Sequence, residues 1–328
     1  MSHFLRVVMV ICVVVAFVEG MTQWTASAQV TDYPQKGRNL TIIVPYPPGG
    51  STDTQARVIA PLLERRIGIP VLVSNKPGAA TQVGMTELTS SKPDGYTLLF
   101  GSFPGCVIPP LDSTRQTSYT RKDFRGVAFL TFDPFVFMVV KDSPYKTMKD
   151  VVAYAKANPE KFKVSVTGIL LPPHLVALEI EKQAGVRFAP VFFDGAAPSR
   201  TALLGGHTDG LVCSFVESAP ATQGDLARII GISDEQEKPQ APGVKTMKAQ
   251  GYNVVMINNE GFVAPSGTPP EIIKRLENAL KEVAADEQYI SKMMPFGITI
   301  KFRGAMESEE FLTKLSDQVK PLVEAARK

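Results

Sequence analysis

The stretch Val44-Pro45-Tyr46-Pro47-Pro48-Gly49-Gly50-Ser51-Thr52-Asp53 sits between an apolar strand and an amphipathic helix. The strand is the run Leu40-Thr41-Ile42-Ile43 that leads into it. On the other side Ala56, Ile59, Ala60, Leu63 and Ile67 recur at steps of three and four, which predicts a helix over 54–67. Ser51, Thr52 and Asp53 are all N-cap residue types. Pro47 and Pro48 fix φ and bring no N–H, so the turn is stiff. Gly49 and Gly50 carry no Cβ, so a ligand can approach their backbone. A stiff glycine turn that feeds a helix start leaves amide hydrogens unpaired, and these suit a carboxylate or phosphate. An ordinary strand–helix loop with no ligand fits the same residues.

Outward from this turn, strands and helices alternate. Gly68 stops the helix and a Val- and Leu-rich strand follows over 70–74. Asn75-Lys76-Pro77-Gly78 and Lys92-Pro93-Asp94-Gly95 are turns on either side of a short helix, Gln82–Ser90, and strand 96–100 comes next. This order predicts a parallel sheet with ligands at the carboxyl ends of its strands, where Ser102 and Phe103 lie. The apolar run Phe124–Val140 is interrupted at Asp133-Pro134 and reads as a strand broken at a domain crossing. A second α/β series follows: strand 163–166, helix 173–183, strand 188–193, helix 197–204, and strands 210–215 and 227–232. A short helix near 244–250 and strand 261–264 come next. Thr268 as N-cap and Pro269 at the first helical position open a helix to about 285. Strand 298–302 and helix 308–326 complete the chain.

With 328 residues the chain suits two domains, and 44% hydrophobic with 20% charged residues is ordinary for a globular protein. A net charge of +3, with no basic run or basic-aromatic stripe, gives no support for a nucleic-acid partner. Residues 1–28 read as a secretory signal peptide: His3 and Arg6, the apolar run Val7–Val18, then Ala26-Ser27-Ala28, with cleavage near Ala28/Gln29. That makes the protein an exported one. Cys12 lacks the small preceding residue of a lipid-anchor site. Cys106 and Cys213 read as two packed thiols, and their spacing alone leaves a disulfide open.

Catalytic signatures are missing. There is no G-x-S-x-G elbow, no phosphate loop and no dinucleotide fingerprint. Outside the leader the histidines are His174 and His207, and neither H-E-x-x-H nor a CxxC pair occurs, so neither a metal nor a cofactor is expected. An exported two-domain α/β chain with glycine-rich strand ends reads as a binder rather than an enzyme. The alternative is a secreted serine hydrolase using Ser102 or Ser214 with His174 and Asp194.

Several segments carry a resemblance to a known family. Tyr33-Pro34 and 42–57 (IIVPYPPGGSTDTQAR) resemble the N-terminal signature of periplasmic receptors of the tripartite tricarboxylate transporter family. VLVSNKPG at 71–78, PDGYTLLFG at 93–101, LLGGHTD at 203–209 and GFVAPSGTP at 261–269 match further family segments in order. The resemblance implies a type II periplasmic-binding-protein fold, two α/β lobes with a ligand cleft between them. The lobes would be 32–133 with 259–328, and 134–258, hinged near Asp133-Pro134 and Asn258-Asn259-Glu260-Gly261. It also implies a small carboxylate ligand of the dicarboxylate or aromatic-acid class, held by backbone N–H groups, hydroxyls and water. The partners would be membrane permease subunits, with the receptor a monomer. A sensor domain serving a signalling partner has the same sequence features.

By the same resemblance, Tyr46, Pro48, Gly49, Gly50, Ser51 and Asp53 would form the first wall of the cleft, joined by Ser102 and Phe103. Thr167, Gly168, His174, Asp194, Gly195 and Ser214 would form the second. His174 either donates to the ligand or packs on its own helix. Asp194 either reaches the cleft, where it would repel a second carboxylate, or points to solvent. Phe103 and Phe215 either sandwich an aromatic ligand body or belong to the core.

Overall fold

The computed structural model describes residues 32–296 and 298–326, so the proposed leader and its cleavage site lie outside the described residues. The first unit is β1 (Leu40–Val44), α1 (Ser51–Ile67), β2 (Val71–Asn75), α2 (Gln82–Ser90) and β3 (Thr97–Phe103). β1 pairs in parallel with both β2 and β3. Its apolar residues Leu40, Ile42, Ile43 and Val44 are all buried, as in a strand covered on both faces. Ala56, Ile59, Ala60, Leu63 and Ile67 are buried under α1, as their spacing predicts. Gly68 closes α1 at φ 78°, its amide donating to Glu64 O at 2.8 Å. The helix starts three residues earlier than the expected 54, because Ser51, Thr52 and Asp53 form its first turn.

The chain then enters β4 (Phe124–Val140), a strand of 17 residues. It is followed by α3 (Met148–Ala157), β5 (Lys163–Thr167), α4 (Pro172–Ala184), β6 (Ala189–Phe193), α5 (Ala196–Leu204) and β7 (Gly210–Ser214). Next come α6 (Phe215–Gln223), β8 (Ala227–Ile232) and β9 (Ile257–Pro265). The last elements are α7 (Pro270–Ala284), α8 (Glu287–Met293), β10 (Thr299–Arg303) and α9 (Ala305–Ala325). The strands lie in the order β2-β1-β3-β9-β4-β7-β5-β6, with β8 and β10 also on β4.

β4 is not broken at Asp133-Pro134. Up to Pro134 it pairs with β9 and β10; from Phe135 onward it pairs with β7 and β8. One strand therefore serves both lobes, and Pro134, which has no amide hydrogen, stands where the partners change. Two further expectations need correction. Residues 244–250 form turns, not a helix. α7 begins at Pro270 with Pro269 as N-cap, because the Thr268 hydroxyl donates to Pro265 O at 2.8 Å instead of capping the helix. Cys106 and Cys213 are free, buried thiols in separate apolar clusters. Burial pushes the Cys106 thiol up to about 12.

Candidate ligand cleft

Five polar residues share one face of the sheet where the lobes meet. Directly opposed residues on paired strands project to the same side, and successive residues alternate. Ser102 of β3 lies opposite Glu260 of β9, Glu260 opposite Thr131 of β4, and Asn258 opposite Asp133. Ser102, Asn258 and Glu260 of this row line a cleft of about 510 Å³ that is bounded from both lobes. The same alternation sends Phe103 to the other face. Phe103 is fully buried, its ring 5.1 Å from that of Phe129 in an edge-on contact, so it is a core residue and not a cleft residue.

The first wall is the β1–α1 turn. Tyr46, Pro48, Gly49, Gly50 and Ser51 line the cleft. Gly49 needs to be glycine, with φ 83°, whereas Gly50 has φ −74° and a Cβ there would come no nearer than 3.7 Å to the protein. Asp53 lies behind the turn and is 3% exposed. It accepts from the Gly49 amide at 2.8 Å, from Arg57 at 3.0 Å and from Asn75 at 2.9 Å. Asn75 also donates to Tyr46 O at 3.1 Å and accepts from Arg57 at 2.9 Å. Burial alone raises the Asp53 pKa, but the bonds from Arg57, Gly49 and Asn75 outweigh it and hold the carboxyl below its ordinary range. Asp53 thus braces the turn instead of facing a ligand. The Gly49 amide is used in that brace. The amides of Gly50, Ser51, Thr52 and Asp53 precede the first α1 hydrogen bond, Thr54 N to Gly50 O at 3.0 Å, and have no protein acceptor among the described residues.

The second wall is less regular than expected. Thr167, Asp194, Gly195 and Ser214 line the cleft; Gly168 and His174 do not. Gly168 adopts φ 66°, donates its amide to Phe193 O at 3.1 Å, and would place a Cβ 2.6 Å from Leu171. Its role is in the turn. His174 is 8% exposed, accepts the Leu170 amide on Nδ1 at 3.0 Å, and meets the Phe192 ring edge-on at 4.9 Å. It packs at the start of its own helix. Phe215 is buried in the core and outside the cleft lining. Asp194 is exposed on the cleft. At the start of α5 the amides of Ala196 and Ala197 have no protein acceptor among the described residues.

Among the cleft residues that sequence reasoning missed are Arg200, Glu217, Asn258 and Glu260. Arg200 of α5 lines the cleft and donates to Glu217 O at 3.1 Å. Glu217 lies on α6, a helix not expected from the sequence, and forms a capping box with Ser214. Serine followed three residues later by glutamate is that signal, and it was present in the sequence. Asn258 and Glu260 belong to the part of β9 that precedes the expected strand. Glu260 is 3% exposed and accepts from the Thr52 hydroxyl at 2.6 Å and from the Gln55 side-chain amide. Burial pushes its carboxyl up to about 7, against the Thr52 hydrogen bond. The Ser102 hydroxyl donates to Asn258, and the Ser214 hydroxyl accepts from the Glu217 amide at 3.3 Å. Both serines proposed as nucleophiles are therefore engaged in structural bonds. Among the described residues no cluster of His, Cys, Asp and Glu fits a metal ion.

Comparisons with known proteins agree on the family. The family model described as "Tripartite tricarboxylate transporter family receptor" matches residues 55–327. The "UPF0065 protein in gbd 5'region" of Cupriavidus necator is 32% identical over 305 residues, 93% of this chain and 92% of that protein. A crystal structure of a TctC solute binding protein from Polaromonas is 27% identical, covers 89% of this chain and 99% of its own, and superposes with a TM-score of 0.73. MatC from Rhodopseudomonas palustris with bound malate shares the fold, with 23% identity, 88% and 99% coverage and a TM-score of 0.80. The cleft, the two-lobe α/β fold and a match over most of the chain place this protein in the tripartite tricarboxylate transporter receptor family, whose members are periplasmic solute receptors.

Proposed function

We propose that this receptor closes its lobes over a small carboxylate and presents it to the membrane subunits of a tripartite transporter. The reading is carried by the unpartnered amides at the start of α1, which sit on the cleft beside a turn already held in place by Asp53. Such amides and the positive end of the helix attract an anion, and the ordering cost of the loop has been met before the ligand arrives. Ala196, Ala197 and Arg200 offer a second, weaker anion subsite from the opposite lobe. Contacts to both lobes favour the closed state. The lobes divide at 133/134 and 258/259, one residue before β4 changes partners and just inside the start of β9. A thermal-shift screen of aliphatic and aromatic acids, with malate and adipate among the first probes, tests the reading. A rise in Tm with at least one acid is expected; a flat response across both classes overturns it.

A further inference from the structure

The cleft is lined by more carboxyl groups than a receptor for a plain diacid needs. Asp194, Glu217 and Glu260 line it against one cation, Arg200, and Asp133 lies on the same sheet face as Asn258 and Glu260. None of the four carboxylates makes an ion pair among the described residues. Asp133 is 5% exposed; its Oδ2 accepts the Val216 amide at 3.2 Å, while its Oδ1 is buried with no partner. Buried carboxylates without a cation are costly, and a receptor cleft is a place where the cation can arrive with the ligand.

The position of Glu260 is specific. Its two oxygens each take one protein donor, Thr52 and Gln55, which leaves each a second acceptor site. Thr52 joins the two poles: its amide belongs to the unpartnered run at the start of α1, and its hydroxyl binds Glu260. An acceptor for a cation thus sits within one residue of the donors for an anion. We propose that Glu260, with Asn258 and Glu217 beside it, takes the protonated amine of the ligand, so that the solute is an amino-bearing carboxylate rather than a plain diacid. This rests on the carboxylate reading above and names the class within it.

Proton linkage gives the sign of the effect. The titratable groups acting on Glu260 or acted on by it are Tyr46, Cys106, Asp133, Glu217 and Tyr289, and none of them is a cation. A bound ammonium favours ionised Glu260, so binding near pH 7 releases a proton from the fraction of Glu260 that is protonated. If Glu260 instead stayed neutral to donate to a ligand carboxylate, binding would take protons up.

The test uses matched pairs that differ by one amine: succinate with aspartate, adipate with 2-aminoadipate, and 3-phenylpropionate with phenylalanine. Calorimetry in two buffers of different ionisation enthalpy gives both affinity and proton count on the unmodified protein. In a pair that binds, the amino acid is expected to bind about tenfold tighter or more and to release protons. Glu260→Gln should remove about tenfold of that preference within a pair. An amine-free acid that binds as tightly as its partner, or proton uptake on binding, overturns the amine subsite and leaves the carboxylate reading standing. Binding by no member of any pair overturns both.

Discussion

Two strand–turn–helix corners line the cleft, and each has an aspartate within three residues of the glycine that caps the start of its helix. At the β1–α1 corner Asp53 turns inward, and the loop is closed by a ring of hydrogen bonds among Asp53, Arg57 and Asn75. At the β6–α5 corner Asp194 stays exposed on the cleft and accepts no hydrogen bond among the described residues. The first corner is organised before a ligand arrives. The second keeps its carboxylate exposed on the cleft. The same residue type therefore braces the wall in one place and stays open to the cleft in the other.

The sharpest way to break this contrast is at Gly50. Its backbone angles suit any residue and its Cβ meets no close neighbour, so Gly50→Val should fold normally. The new side chain would occupy the space of the bound acid and block two or more charge-assisted bonds, a loss of about 100-fold or more in affinity. Binding within tenfold of the unmodified protein would move the carboxylate away from this turn. Next in size is a pair of substitutions. Asp53→Ala strips partners from a buried network and should lower unfolding free energy by roughly 2–3 kcal/mol, whereas Asp194→Ala should change it by less than about 0.5 kcal/mol. Denaturant midpoints measure both, and equal effects would erase the distinction between the corners.

A smaller effect is expected from Asp194→Asn, which removes a negative charge from the second wall. Affinity for a diacid should rise by about threefold at low salt and by less at high salt, because the site is open to solvent. Unchanged affinity at both salt concentrations would place the second acid group away from this corner. The smallest effect is in the pH profile. The Asp53 carboxyl is held below its unfolded value, so its contribution to stability is present above the ordinary carboxylate range and is lost as pH falls through its own lower pKa. Asp53→Asn should therefore flatten the decline in Tm below about pH 4, and an unaltered decline would show that the brace carries no ionic component.

The sequence revealed the elements more readily than the directions of their side chains. Periodicity located α1 through Ala56, Ile59, Ala60, Leu63 and Ile67, and every one of them is buried. In sequence Ser102 and Phe103 both read as cleft residues, yet neighbours on a strand face opposite ways, and only the register with Glu260 and Asn259 shows which one faces in. Asp53 and Asp194 look alike in sequence, since whether a carboxylate braces or faces the ligand depends on partners such as Asn75 that lie far along the chain. Glu260 was hidden for a related reason. A carboxylate in the polar run Asn258-Asn259-Glu260 carries no local signature, and its significance comes from Thr52 and Gln55, more than 200 residues earlier.

Pro134 has a mechanical meaning. It offers no hydrogen for a ladder at the one residue where β4 leaves one set of neighbours for another. A swivel centred there strains no donor of its own, so each half of the sheet can keep its rungs intact while the gap between the halves narrows or widens.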